Sequence, residues 1–276
     1  MGDSLLKRSY HVAGSAAARL ADFENFLLDP EIKGIIAARG GYGSMHLLPR
    51  LDYDLISRYP KVMLGFSDIT ALQMALWHKI RLITFSGPML AVEMARSGTV
   101  NEALLWALLS GAEAAVVNPL LSANLASSRI EFMRQKSFSG RLLGGTLTIL
   151  AALAGTPYMP DFTGKIIFIE DRCEPLYRID RALTQLRLHG VFNDPAAVVC
   201  GDFSLPDKAE MPRLINLLND FFAADDFPVL MNFPYGHISG SFIFPQGGKM
   251  RFECRTRKIF LLENPVRSAV PSEADS

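Results

Sequence analysis

Hydrolysis through serine needs a nucleophile, a base to take its proton and an acid to orient that base, brought together in space. Serines that follow glycine or fall in turn-like stretches are Ser15, Ser44, Ser67, Ser86 and Ser139. Only Ser67 sits where an apolar run gives way to a helix-like start, in KVMLGFSDITALQ (61–73). Two readings fit that position. A serine before a helix is a good N-cap. It is equally placed as a nucleophile on a strand-to-helix turn, where free N–H groups and the positive dipole end face an oxyanion. The N–H of Asp68 is then one oxyanion donor, and the Gly40–Gly41 turn offers another, because glycine lets backbone approach a ligand.

Of five histidines, His11 lies near the N-terminus, His46 follows the glycine turn, and His78 and His189 fall at expected helix ends. Cation–dipole capping is reason enough for the last two. His237 differs: it ends FPYGH (233–237) after the apolar run VLMNF, a strand-end turn from which a side chain can reach a neighbouring element. The acid candidates are Glu170 and Asp171 at the end of KIIFIED, with Glu174 in the turn beyond. A carboxylate closing so apolar a run needs a partner. Arg172, Arg178 and Arg181 are near enough in sequence to provide one as an ion pair. Arg39, Arg178 and Arg181 are also candidates, by position, to hold an anionic group.

These residues hang on alternating elements. SAAARLADFENFL (15–27) predicts a capped amphipathic helix, GIIAA a short strand into RGGYG, KVMLG a second strand, DITALQMALWHKI a second helix and RLITFSGP a third strand. VNEALLWALLSG (100–111) predicts a further helix. Strand–helix alternation points to a parallel sheet covered by helices, with functional groups at the C-terminal strand ends. After about residue 115, VVNPLLSANLASSRIEFMRQKSFSG carries no long helix signal and reads as connector and strands. A buried helix, the strands KIIFIED and AAVVCGDF with a helix between them, and a terminal hairpin KMRFECRTRKIFLLE follow. The expected division is an N-terminal α/β domain at 1–118, a linker at 119–137, a C-terminal β-rich domain at 138–265 and a flexible tail at 266–276.

Over 276 residues, 28 basic and 28 acidic side chains cancel, which argues against nucleic acid or an anionic membrane surface as the partner. Cys173, Cys200 and Cys254 are odd in number and form no CxxC, so neither a disulfide framework nor a cysteine zinc site is expected. A reducing compartment suits them, and the expected location is cytoplasmic. The uncharged run 142–159 holds three glycines, three threonines and a proline and reads as a buried helix and turn rather than a membrane span.

Several separated stretches together resemble the LD-carboxypeptidases, serine peptidases that trim murein tetrapeptides. They are RGGYG (39–43), GFSDITALQ (65–73), TFSGPM (84–89), GRLLGGTLTIL with GTPYMP (140–160), IFIEDRCEPLYRIDRALTQL (167–186) and FPYGH, in the family's order. The resemblance implies a flavodoxin-like N-terminal domain, a smaller β-rich C-terminal domain and a site between them. It implies the triad Ser67–Glu170–His237, with Asp68, Gly40 and Gly41 around the oxyanion. No metal or cofactor is implied, and a homodimer is expected. The implied reaction removes the terminal D-alanine of a murein tetrapeptide across an L,D bond.

The sequence departs from the family in places. Only about a dozen residues precede VAGSAAARLADF, so the usual first strand–helix unit reads as missing, which would expose a sheet edge. Thr146 stands where GGNL is usual, and ISGSFIFPQGG after His237 matches loosely. Two alternatives stay open: a microcin-immunity-type peptidase acting on acyl-adenylate-like compounds, and a truncated paralogue that binds muropeptides without catalysis.

Overall fold

The computed structural model describes residues 1–125 and 130–266. A small hairpin, β1 (Arg8–Ser9) and β2 (Val12–Ala13), precedes α1 (Ala16–Leu28), whose first turn is capped by Ser15 accepting from the Ala18 N–H. β3 (Gly34–Ile36), α2 (Tyr53–Arg58), β4 (Val62–Gly65), α3 (Thr70–Ile80) and β5 (Thr84–Ser86) follow, then α4 (Glu102–Leu109) and α5 (Ala114–Leu125). The second half runs β6 (Glu131–Phe132), β7 (Phe138–Thr146), α6 (Leu147–Leu153), β8 (Lys165–Arg172), α7 (Leu176–Leu188), β9 (Ala197–Ser204), α8 (Met211–Phe221), β10 (Val229–Met231), β11 (Phe244–Gln246), β12 (Lys249–Glu253) and β13 (Lys258–Leu261).

Among the described residues, β3, β4 and β5 pair in parallel in a four-stranded sheet ordered β11-β5-β4-β3. Its fourth strand comes from the far end of the chain, because β11 pairs antiparallel to β5. β11 carries Pro245, which a sheet accepts at an edge. A second sheet has seven strands in the order β13-β12-β7-β8-β9-β10-β6. Its centre, β7 to β10, is parallel, and its flanks are antiparallel. The second part is expected to be the smaller and to be β-rich; it is built on the larger sheet, of seven strands, and helices cover it. The cause is visible in β8 and β9. Leu143, Ile167, Ile169, Val198 and Cys200 face one core, with α3, α6, α7 and α8. Their neighbours Leu142, Ile166, Phe168, Ala197 and Val199 face another, with α4, α5 and the β11–β13 region. Strands buried on both faces are the mark of parallel pairing under helices.

Residues 114–125 are helical where a connector is expected. Pro119 removes one helix hydrogen bond. Burial outweighs that loss: Val117 and Leu121, one turn apart, are fully buried, and Asn118 Oδ1 accepts the Leu261 N–H at 2.7 Å, fastening α5 to β13. The 142–159 run is the end of β7, then α6 and a turn, and no described helix is long and apolar enough to cross a membrane. The expected tail falls, beyond Val266, outside the described residues.

Candidate active site

Ser67 follows β4 and opens a 3-10 turn, Ser67–Ile69, that leads into α3. Its φ is +64°, the left-handed region a non-glycine residue seldom occupies and one where strain tends to mark function. Neither the turn nor α3 has a side-chain N-cap, so Ser67 is not spent on capping. Gln73 on α3 steadies the approach. Its buried Nε2 donates to the Gly65 carbonyl at 3.2 Å and the Phe85 carbonyl at 2.8 Å, fixing the ends of β4 and β5 beneath the turn.

The Ser67 hydroxyl lies 3.2 Å from His237 Nε2, and His237 Nδ1 lies 2.8 Å from Glu170 Oε2. Glu170, near the end of β8, is fully buried, while the His237 side chain keeps 12% of its exposure. A carboxylate on Nδ1 selects the tautomer with a proton there, leaving the Nε2 lone pair for the serine O–H. The Phe66 ring packs 4.5 Å from the imidazole and limits its rotation. Glu170 pairs with none of the nearby arginines. Its second oxygen accepts from the Thr146 hydroxyl at 2.6 Å.

The glycine turn closes on the serine from the other side. A Cβ at Gly40 would stand 2.8 Å from Ser67 Cβ and 3.1 Å from the Phe66 carbonyl oxygen, so only glycine lets the two turns meet. Asp68 is buried and its Oδ2 accepts the Ser44 N–H at 2.8 Å, tying the segment after the glycines to the turn that carries Ser67. Ser67, Asp68, Gly40, Gly41 and His237 all line one cleft of about 640 Å³.

The other candidates separate by environment. Ser15 caps α1, Ser44 is buried on Asp68, and Ser139 is exposed on β7. Ser86 is fully buried 2.7 Å from the Tyr235 hydroxyl, away from the cleft. Burial first, and then the Glu170 charge, push the Tyr235 phenol well above its ordinary range. His189 is the C-cap residue of α7. Burial, then Lys79 and Arg81, lower the pKa of His78. Asp171 lines the cleft but its carboxylate is used locally, accepting the Thr148 N–H at the start of α6 and its neighbour Arg172 N–H, each at 2.8 Å. Burial, assisted by the Glu170 charge, raises its pKa to about 6 against those hydrogen bonds. Asp202 is also raised, by burial first and then by Glu170. Glu174 lines the cleft and pairs with Arg178 at 3.4 Å.

Of the arginines singled out for an anionic group, Arg39 lines the cleft; Arg178 is held by Glu174, and Arg181 stacks on Tyr177. Arg96 and Arg172 line it too. Sequence spacing carries no signal for Arg96, which arrives on the segment after β5. Thr146 is visible in sequence only as a departure from a familiar motif.

Models of the LD-carboxypeptidase N-terminal and C-terminal domains match residues 1–87 and 139–252. The chain is 34% identical over 254 residues to the probable murein peptide carboxypeptidase of Bacillus subtilis strain 168, covering 90% of this chain and 77% of that one. It is 27% identical to the microcin C7 self-immunity protein MccF of Escherichia coli over 93% of this chain and 81% of that protein. The crystal structure of muramoyltetrapeptide carboxypeptidase from Oxalobacter formigenes superposes with a TM-score of 0.74 at 29% identity, over 93% of this chain and 86% of that one. On both domain matches and on the extent of its likeness to the Bacillus protein, the chain belongs to the LD-carboxypeptidase family of S66 peptidases.

Proposed function

We propose that the protein is a serine LD-carboxypeptidase that removes the terminal D-alanine of a murein tetrapeptide. The observation that carries the reading is the line from a left-handed Ser67 through His237 to a fully buried Glu170, with hydrogen-bond distances of 3.2 and 2.8 Å, at the wall of an open cleft. Ser67 Oγ attacks the carbonyl carbon of the penultimate residue as His237 Nε2 takes its proton. The negative oxygen that forms is received by the N–H of Asp68 and the Gly40–Gly41 turn. The intermediate collapses, His237 returns the proton to the departing amine, and D-alanine leaves. A water activated by the same imidazole then releases the tripeptide. Glu170 holds the imidazole throughout.

Two features support this substrate over an acyl-adenylate-like one. Arg39, Arg96 and Arg172 line the cleft beside Asp68, Glu93, Asp171 and Glu174, and any of the three arginines can receive a free C-terminal carboxylate. Among the described residues lining it, His237 supplies the only aromatic ring, so no tryptophan, tyrosine or phenylalanine offers a face for a nucleobase. The test compares tetrapeptides with a free and an amidated terminal D-alanine. Amidation removes the charge but keeps the scissile bond, and kcat/KM is expected to fall at least about a hundredfold. Equal rates would contradict the exopeptidase reading and favour the immunity-type one.

A further inference from the structure

Glu170 is held at both of its oxygens, and the second holder leads back to the serine. His237 Nδ1 serves Oε2 at 2.8 Å, and the Thr146 hydroxyl donates to Oε1 at 2.6 Å. A carboxylate with no exposure needs donors that replace the water it lost. Thr146 is itself buried, and it stands opposite Glu170 in the parallel register of β7 on β8, so both side chains leave the same face. Its own N–H donates to Thr70 Oγ1 at 3.3 Å. Thr70 is the first residue of α3, three positions after Ser67, and is fully buried. The approach depends on Gly145, whose φ is +145° and where any Cβ would collide with the Thr70 hydroxyl.

We propose that Thr146 is the positioning residue of this site: its hydroxyl holds Glu170 aimed at His237, and its N–H, bonded to Thr70, ties that acid to the turn carrying Ser67. The proposal rests on the catalytic reading above. Without the hydroxyl, Oε1 loses its donor and the carboxylate loses its fixed aim. The imidazole it orients is then less well placed to take the Ser67 proton, and the loss falls on kcat rather than on KM. The other titratable groups near Glu170 are Asp171, Asp202 and Tyr235. Asp171 accepts from the Thr148 and Arg172 N–H groups, and the Tyr235 hydroxyl shares a hydrogen bond with Ser86, contacts that a change at Thr146 leaves in place.

The experiment measures kcat and KM for Thr146→Val, Thr146→Ala and Thr146→Ser on a murein tetrapeptide. For Val and Ala, kcat is expected to fall about tenfold or more, the cost of an unmatched buried acceptor, with KM little changed. Serine keeps the donor and should restore kcat. Should the valine variant fail to fold, the alanine variant, which only removes atoms, carries the same measurement. An alanine variant with wild-type kcat would overturn the proposal, as would a raised KM at unchanged kcat, which would make Thr146 a substrate contact. Ser67→Ala measured alongside separates the two claims. If it still turns over, the catalytic reading itself falls; if it is inactive while the alanine variant matches wild type, only the role of Thr146 falls.

Discussion

At the scale of single residues, what separates Ser67 from Ser86 is the water each can reach. Ser86 ends β5 and Ser67 follows β4, but Ser86 is sealed against Tyr235 while Ser67 opens on the cleft beside His237. The two partners of Ser67 should not be equal in weight. On the proposed reading, His237→Ala removes the base and is expected to cost on the order of 10⁶ in kcat, whereas Glu170→Gln, which loses the orienting carboxylate, should cost roughly 10⁴. Steady-state kinetics on a murein tetrapeptide checks the order, and a Glu170→Gln variant with a rate near wild type would move the acid role to Asp171 or Glu174. Asp171 has a separate signature in stability. Its folded pKa of about 6 lies above the unfolded value, so the folded protein takes up a proton that the unfolded chain does not. Its contribution is therefore largest below about pH 4 and is lost as pH rises to about 6. Asp171→Asn removes that dependence. The melting temperature of the variant minus that of wild type should climb between about pH 4.5 and about pH 7.5, by the equivalent of about 2 kcal/mol. Parallel curves would contradict it.

At the scale of elements, the site is a meeting of turns at the C-terminal ends of β3, β4, β8 and the loop after β10, and small residues decide whether they meet. Gly40→Ala places a methyl group against Ser67 and the Phe66 carbonyl. It is expected to lower kcat by about 10² or more, as the loss of an oxyanion donor does, while the far-UV circular dichroism spectrum is unchanged. Wild-type kcat in that variant would remove the glycine turn from the mechanism. Much of this level is legible in the sequence. The apolar runs before RGGYG and GFSD and the KIIFIED run announce strands, and Ser15, Asp52 and Asn101 are capping residues of ordinary type. α5 is not legible, since Asn118 and Pro119 speak against a helix, and only packing of Val117 and Leu121 and the bond to β13 reveal it. The pairing of β11 with β5 is equally hidden, a three-residue strand containing proline whose partner lies about 160 positions away in sequence.

At the scale of the whole molecule, balanced charge and two packed cores leave one cleft where a serine, a histidine and a buried carboxylate line up, with arginines at its edge. Sequence order alone cannot say which arginines face it. Arg39, Arg178 and Arg181 are alike in chemistry, and only the folded chain shows that Glu174 and Tyr177 hold the last two. Both halves of the chain feed the site: β4 delivers Ser67, while β8 and the loop after β10 deliver Glu170 and His237. The most direct measurement of the account is mass spectrometry of a murein tetrapeptide incubated with the wild-type protein and with Ser67→Ala. The wild-type protein should yield a tripeptide and free D-alanine, one residue lost and no further trimming, and Ser67→Ala should leave the tetrapeptide intact. An intact tetrapeptide with wild type, or D-alanine released equally by both proteins, would contradict it.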